Sequence, residues 1–302
     1  MRLTAFLTAA IACTTAASAG ERERALEVDG TRREYMLIAP DKVVEPLPLL
    51  VVYHGGGQSA SRARRYTRFD EMASKEGFVA VYPQGLGNSW NDGRSTGDIN
   101  QRAAASVDDV RFTQQIVDQL AAENLVDPSR VFLTGASNGG MMAMRAACEL
   151  DRAIAGVAPV VANLPTDWEC GAGAMPALFI HGTDDEYMPF AGGPIAATKQ
   201  RKDLGTVRSV DDTIAVFKRM NGCTGAKEPK TLDKVGYDKT VAVITDYECT
   251  KAPLKQIVIE AGGHTWPGAR DNVITDMLLG NTSAEVSATA EIWTFFKSLP
   301  SR

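Results

Sequence analysis

The stretch RVFLTGASNGGMMAMRAAC, from Arg130 to Cys148, joins an apolar, β-branched run to a helical pattern through a glycine-rich turn. Its one serine, Ser137, lies in the motif G-x-S-x-G. A strand that turns sharply into a helix needs glycines, and the same turn can expose a serine hydroxyl above the strand end. The stretch therefore has two interpretations, a catalytic nucleophile or a small residue in a structural turn.

Apolar runs followed by glycine-bearing or acidic loops recur along the chain. They are LPLLVVYHGGG ending at Gly57, FVAVYPQG at Gly85, RVFLTGASNGG at Gly140, PALFIHGTDD at Asp185 and QIVIEAGGH at His264. Such runs suit strands buried on both faces of a parallel sheet. Helical patterns cover residues 106–124, with Ser106 as a candidate N-cap, and residues 211–222 and 284–299. The alternation predicts a doubly wound, mostly parallel α/β sheet with helices on both faces.

Composition excludes several classes of function. The 302 residues carry a net charge of -5, which argues against a nucleic-acid partner. The basic cluster SRARRYTR, residues 61–68, is interpreted as a solvated helix face. The chain has only three histidines and neither a C-x-x-C nor an H-E-x-x-H motif, so we predict no metal site and no cofactor.

The N-terminus resembles an export signal. Residues 1–19 combine a charge at Arg2, a short apolar run and the A-x-A sequence Ala17-Ser18-Ala19, which predicts a cleaved secretory signal followed by one catalytic domain over residues 20–302. A lipoprotein site at Cys13 is the alternative. No later run reaches the roughly 18 apolar residues of a membrane span, so we predict a secreted protein without membrane association.

Export changes the interpretation of the cysteines. Apart from Cys13, the chain has Cys148, Cys170, Cys223 and Cys249. An even number of cysteines in an oxidising compartment predicts disulfides, and four cysteines allow three pairings. The pairing of nearest cysteines in sequence is Cys148 with Cys170 and Cys223 with Cys249, and four buried thiols are the alternative.

A serine nucleophile needs a base within hydrogen-bond reach and a third group that orients this base. These parts are available in the order serine, acid, histidine, each after an apolar run: Ser137, then an acidic loop, then His264. His54 precedes the serine in HGGG, and His181 is too close in sequence to the acidic loop to be its separate partner. His264 is therefore the predicted base.

Three acidic residues compete for the role of the acid. Asp184, Asp185 and Glu186 are consecutive, and neighbouring side chains on a loop usually point apart, so one of them should reach His264. We favour Asp185, with Asp184 as the alternative.

The developing oxyanion needs backbone N–H donors without a bulky side chain nearby. Gly56 of the HGGG loop, with Gly57 as the alternative, and Asn138, directly after Ser137, meet this need. The other interpretation of HGGG is a flexible turn.

Six motifs together make the chain recognisable: YHGGGQSA, SWNDG, VDDVRF, VDPSRVFLTGASNGGMMAMRAAC, HGTDDEYMPFAGG and GGHTWPG. From about residue 26 to residue 297 the chain resembles the secreted polyhydroxybutyrate-depolymerase-type and feruloyl esterases, which are α/β-hydrolases. The resemblance implies Ser137 as nucleophile, Asp185 as acid and His264 as base, with disulfides at the cysteines paired above. It also implies that Trp90 and Trp266 lie near the pocket mouth, although a tryptophan at either position could equally belong to the core.

The resemblance implies a secreted serine esterase that works through an acyl-enzyme. The expected substrates are hydroxyalkanoate oligomers, or feruloyl and acetyl esters of plant polysaccharide. The short stretch ANLPTDWECGAGAM, residues 162–175, leaves no room for a large lid between the serine and the acid. A peptidase or amidase on the same fold and a non-catalytic binding protein are the alternative functions.

Overall fold

The computed structural model describes residues 19–94, 107–195, 204–269 and 278–300. One mixed sheet of 11 strands runs through these ranges in the order β1-β2-β4-β3-β5-β6-β7-β13-β12-β10, with β11 paired to β12, and a second sheet pairs β8 with β9. The strands are β1 (Ala19–Val28), β2 (Thr31–Pro40), β3 (Leu47–Tyr53), β4 (Val79–Pro83), β5 (Val126–Ala136), β6 (Gly156–Val160), β7 (Ala177–Gly182), β8 (Gly193–Pro194), β9 (Thr206–Val207), β10 (Cys223–Ala226), β11 (Lys230–Leu232), β12 (Val241–Cys249) and β13 (Leu254–Glu260).

The centre of the large sheet is parallel. Strands β4, β3, β5, β6, β7 and β13 run in one direction, whereas β1, β2 and β12 add antiparallel edges. Every residue of β4, β6 and β7 is buried, because helices cover both faces of these strands. The prediction of a doubly wound, mostly parallel α/β sheet is confirmed.

Helices cover the sheet from two sides. They are α1 (Ala60–Thr67), α2 (Phe69–Glu76), α3 (Asp109–Ala122), α4 (Asn138–Glu149), α5 (Val210–Asn221) and α6 (Ala288–Lys297). Apolar residues of α3, α4 and α5 form one core, and those of α1, α2 and α6 form a second core on the opposite face. The residue that caps α3 is Asp108, whose carboxylate accepts the Arg111 N–H at 2.8 Å. The prediction of Ser106 as cap was wrong, and Ser106 itself lies outside the described residues.

Within the described ranges two disulfides form, with the pairing of nearest cysteines. Cys148, near the end of α4, is bonded to Cys170 in the β6–β7 connection. Cys223 at the start of β10 is bonded to Cys249 at the end of β12.

The predicted signal, residues 1–19, lies outside the described residues except for Ala19, which is the first residue of β1. Within the described ranges, none of the helices combines the length and the hydropathy needed to cross a bilayer.

The topology positions the candidate site. Because the carboxyl ends of parallel strands share one edge of a sheet, the loops after β3, β5, β7 and β13 all open on the same side. These loops carry Gly56, Ser137, Asp185 and His264. Strands β5, β6, β7 and β13 are consecutive neighbours, so one strand separates the serine from the acid and none separates the acid from the histidine.

Candidate active site

The turn between β5 and α4 holds Ser137 in a conformation that few residues adopt. Its backbone has φ 57° and ψ -126°, and its N–H donates to the Val160 carbonyl at 2.9 Å. A non-glycine residue at positive φ is strained and is held there by its surroundings. The side chain is partly exposed, as a nucleophile must be.

The glycines of the motif are required by close backbone contacts. A Cβ on Gly135 would overlap the Tyr53 and Gly139 carbonyl oxygens, and a Cβ on Gly139 would overlap those of Tyr53 and His54. The sharp turn therefore forms only if the start of α4 lies directly against the loop after β3.

The acid and the base meet across the ends of β7 and β13. His264 Nδ1 lies 2.7 Å from Asp185 Oδ2. The other oxygen, Oδ1, accepts the N–H groups of Tyr187 at 2.9 Å and Met188 at 2.7 Å. A carboxylate accepts only, so Nδ1 carries the proton and Nε2 of His264 is left as the basic nitrogen. The Asp185 side chain is 2% exposed and that of His264 is 13% exposed, so the carboxylate is shielded from solvent and the imidazole remains accessible.

The geometry separates the three acidic candidates. Asp184 is exposed and its Oδ1 accepts the Thr183 hydroxyl at 2.9 Å. Glu186 is exposed as well. Asp185 is the acidic residue of this loop that contacts His264.

The two other histidines are buried and neutral. His54 Nε2 accepts the Gly85 N–H at 3.0 Å, so its protonated Nδ1 donates to the Gly55 carbonyl at 2.9 Å. Burial lowers the pKa of His54 to about 4. Burial likewise lowers the pKa of His181 to about 4, and its Nε2 donates to the Ala162 carbonyl at 3.1 Å. His54 therefore both donates and accepts hydrogen bonds, whereas His181 donates through Nε2.

Within the described residues, the backbone N–H groups of Gly56 and Asn138 have no acceptor. Gly57, the alternative donor, gives its N–H to the Asn88 carbonyl at 2.6 Å. Of the two glycines considered in this loop, Gly56 is thus the one whose N–H is available, and its role as an oxyanion donor together with Asn138 stays a prediction.

Neither predicted pocket tryptophan lies at an exposed mouth. Trp90 is 0% exposed, and its indole N–H donates to the His54 carbonyl at 2.8 Å. Trp266 is 4% exposed, donates to Thr289 at 3.0 Å and packs against Tyr66 and Phe69. Both rings belong to the interior behind the loops, as the core alternative for them allowed. A contact of either ring with substrate stays a prediction.

Sequence reasoning missed Tyr187. Its ring lies 5.4 Å from the His264 ring, and it is partly exposed beside the base. The signal for it was its place two residues after Asp185.

Ser137 Oγ makes no hydrogen bond to His264 among the described residues, and such bonds commonly tighten only in the substrate complex. Across the same residues, no group of three or more His, Cys, Asp or Glu side chains is placed to hold a metal ion.

Comparison with known proteins identifies the family. Residues 74–216 match the model of the Phospholipase/Carboxylesterase family. Putative esterase NocK of Nocardia uniformis subsp. tsuyamanensis is 31% identical over 264 residues, which cover 83% of this chain and 76% of that protein. The chain belongs to the α/β-hydrolase esterases. The fold and the family indicated by the motifs are thereby confirmed.

Two further relatives bear on the resemblance to specific esterases. Feruloyl esterase B of Piromyces equi is 31% identical over 192 residues, or 61% of this esterase and 34% of that protein. Poly(3-hydroxyalkanoate) depolymerase C of Paucimonas lemoignei is 30% identical over 155 residues, or 49% of this esterase and 35% of that protein. This esterase therefore spans about a third of the length of these two relatives.

Proposed function

We propose that the chain hydrolyses carboxylic esters through an acyl-enzyme, with Ser137 as nucleophile, His264 as general base and Asp185 as the group that orients it. The observation that carries the proposal is the 2.7 Å contact between His264 Nδ1 and buried Asp185, at the sheet edge where Ser137 is held in its strained turn. Removing a proton from a serine hydroxyl requires a neutral imidazole nitrogen, and the Asp185 contact leaves Nε2 in this form.

Acylation follows from this arrangement. Ser137 Oγ attacks the ester carbonyl carbon while its proton moves to His264 Nε2, and the carbonyl oxygen becomes an oxyanion that the N–H groups of Gly56 and Asn138 stabilise. The tetrahedral intermediate then collapses, the bond to the alcohol oxygen breaks, and the alcohol leaves with the proton from Nε2. Asp185 stabilises the transient imidazolium without taking its proton.

Deacylation repeats these steps with water. His264 Nε2 takes a proton from a water molecule, the resulting hydroxide attacks the acyl carbon, and the acid is released as Ser137 Oγ regains a proton. The partial exposure of Ser137 and His264 supports entry of both substrate and water.

For the substrate we propose feruloyl or acetyl groups on plant polysaccharide, or hydroxyalkanoate oligomers. The similarity to a feruloyl esterase and to a poly(3-hydroxyalkanoate) depolymerase supports both classes, and the accessible serine and histidine suit esters that project from a larger molecule. We also propose export through a cleaved signal at residues 1–19, which the two disulfides support.

The decisive variant is Ser137→Ala. Loss of the nucleophile should lower kcat for p-nitrophenyl butyrate by about 10⁴-fold or more, with the melting temperature unchanged, because the remaining groups cannot form the acyl-enzyme. Ser61→Ala, at an exposed serine of α1, is the matched control and should retain full activity. Undiminished hydrolysis by Ser137→Ala would overturn the proposal.

A substrate panel tests the alternatives. Methyl ferulate, acetylated xylan and hydroxybutyrate oligomers separate the proposed ester classes, since pocket shape decides among them. A peptide p-nitroanilide cleaved as fast as the best ester would replace the esterase by an amidase. Failure of the wild-type protein to react with a fluorophosphonate probe would favour a non-catalytic binding protein.

A further inference from the structure

The SWNDG motif has no role in the mechanism above, yet its residues are among the most buried polar groups of the molecule. Within the segment Trp90–Arg94, which we call the WND segment, Trp90 is 0%, Asp92 1% and Arg94 5% exposed. Burying a carboxylate and a guanidinium is unfavourable unless each is paired, so this buried pair is weak evidence of added stability. Arg94 pairs with Asp92, with Nε 2.9 Å from Oδ1.

The first contact of the WND segment is with the residue that follows the nucleophile. Asn138 Oδ1 accepts the Trp90 N–H at 2.9 Å, and Nδ2 donates to the Trp90 carbonyl at 3.1 Å and to Asp92 Oδ2. An amide bound to one donor and two acceptors has only one satisfied orientation. The side chain of Asn138 is thus fixed, and with it the first residue of α4.

The second contact is with the loop after β3. The Trp90 indole N–H donates to the His54 carbonyl at 2.8 Å, and the Trp90 ring lies 4.7 Å from the His54 ring. The residues just before the WND segment bind the same loop, because Gly85 N–H donates to His54 Nε2 and Asn88 O accepts the Gly57 N–H. The peptides of this loop lead directly to Gly56.

The outer side of the WND segment is anchored to the helices. Asn91 N–H donates to Asp109 Oδ2 at 2.8 Å, and the Asn91 carbonyl accepts from Arg145 at 2.8 Å. Asp109 is itself paired with Arg33 at 2.6 Å in a fully buried ion pair. Asn91 therefore fixes the segment to α3 and α4, while Trp90 contacts the loops after β3 and β5.

We propose that the WND segment positions the oxyanion hole: Trp90 and Asp92 set the separation of the Gly56 and Asn138 N–H groups, which belong to different loops. The inference rests on the proposed function. An oxyanion hole stabilises charge only when both donors lie about 2.7–3.1 Å from the future oxyanion, so a displacement of a few tenths of an ångström weakens catalysis without weakening ground-state binding. Trp90 contacts both loops through separate hydrogen bonds, which add a directional link to the close backbone contacts at Gly135 and Gly139.

The experiment is Trp90→Phe, which keeps an aromatic ring and removes the indole N–H. We expect kcat for p-nitrophenyl butyrate to fall about 30-fold with KM within two-fold, because a donor is displaced rather than removed. Inhibition by an aryl trifluoromethyl ketone, whose adduct with Ser137 carries an oxyanion, should weaken by a similar factor. The matched control is Trp293→Phe, the same change at a tryptophan 3% exposed on α6 in the opposite core, which should leave kcat within three-fold.

A second variant tests the inference if Trp90→Phe does not fold. Asp92→Asn preserves the shape of the side chain and weakens its hydrogen bond with Asn138 Nδ2. We expect kcat to fall about 10-fold, again with KM within two-fold. A kcat loss no larger than that of Trp293→Phe, or a loss expressed in KM alone, would overturn the positioning role. In that case loss of activity in Ser137→Ala would still support the esterase. Full activity of Ser137→Ala would overturn both.

Discussion

The two halves of the candidate site are held in different ways. The loops after β3 and β5 are locked by close backbone contacts and by the buried side chains of Asn138, Trp90 and Asp92. The loops after β7 and β13 also approach each other closely, because a Cβ on Gly182 would overlap the Gly262 carbonyl oxygen. The contact between them that reaches the site is that of Asp185 with partly exposed His264. An oxyanion donor works best when it is held rigidly at the position of the developing charge. The base, in contrast, takes a proton from one group and gives it to another, so it must adjust its position during the reaction.

Each half also has one buried histidine at a strand end, and the two histidines differ in how many of their ring nitrogens have a hydrogen-bond partner. Both ring nitrogens of His54 have hydrogen-bond partners, whereas Nδ1 of His181 has none among the described residues. The difference concerns the two histidines and not their surroundings, because Ser89 Oγ, next to Trp90, is also buried without a partner among the described residues.

The largest effect should come from breaking the acid–base half. Asp185→Asn keeps the size of the side chain but allows the wrong imidazole tautomer, so kcat should fall about 10⁴-fold while KM changes little. The control is Asp184→Asn at the exposed neighbour, which should change kcat less than two-fold. Steady-state kinetics on p-nitrophenyl butyrate gives both values, and equal losses in the two variants would contradict the assignment of Asp185.

A smaller effect should follow from loosening the elbow half. Gly139→Ala places a methyl group against the Tyr53 and His54 carbonyl oxygens, so α4 must move away from the loop after β3. We expect a loss of about 3 kcal/mol in the free energy of unfolding and about 100-fold in kcat. Gly171→Ala, where a Cβ would meet no atom within 4 Å, is the control for urea denaturation and kinetics. If Gly139→Ala matched that control, the close approach would not govern the elbow.

The smallest expected effect is a pH dependence of the free energy of unfolding, which arises from the two buried histidines and is tested at His181. With folded pKa values of about 4, His54 and His181 bind fewer protons than the unfolded chain, whose histidines titrate near 6.5. The contribution of each neutral, buried histidine to the free energy of unfolding is therefore complete above pH 6.5 and is lost as the pH falls to 4. Between pH 7 and pH 4.5, wild type should lose about 2 kcal/mol more than His181→Gln. The measurement is the urea denaturation midpoint of both proteins as a function of pH. If the two midpoints changed with pH by the same amount, the lowered pKa of His181 would be refuted.

Much of the fold followed from local patterns. The five apolar runs became β3, β4, β5, β7 and β13, because a continuous apolar run without helical period is buried on both faces. The antiparallel edges were missed. Neither β1 (AGERERALEV) nor β2 (TRREYMLIAP) alternates polar and apolar residues, so the periodicity that marks an antiparallel strand is absent. The hairpin signal in the sequence is the turn Asp29-Gly30, whose two residues adopt positive φ.

At the site, the chain order of Ser137, Asp185 and His264 predicted the parts, but not every contact between them. The selection of Asp185 over Asp184 depended on which carboxylate points inward at the end of β7, and adjacent side chains differ there only in three dimensions. The positions of Trp90 and Trp266 are further examples, since a tryptophan near a site in sequence can lie behind it in space.

The sequence by itself determined the parallel sheet, the glycine-bounded serine and the cysteines available for disulfides, because periodicity, turn chemistry and residue type are local properties. Only the tertiary structure decided which acid meets His264, which glycine N–H stays free, and that the WND segment joins the two oxyanion loops. Those outcomes depend on contacts between residues far apart in the chain, such as Trp90 with Asn138 and Asp185 with His264, and such contacts exist only once the sheet has assembled.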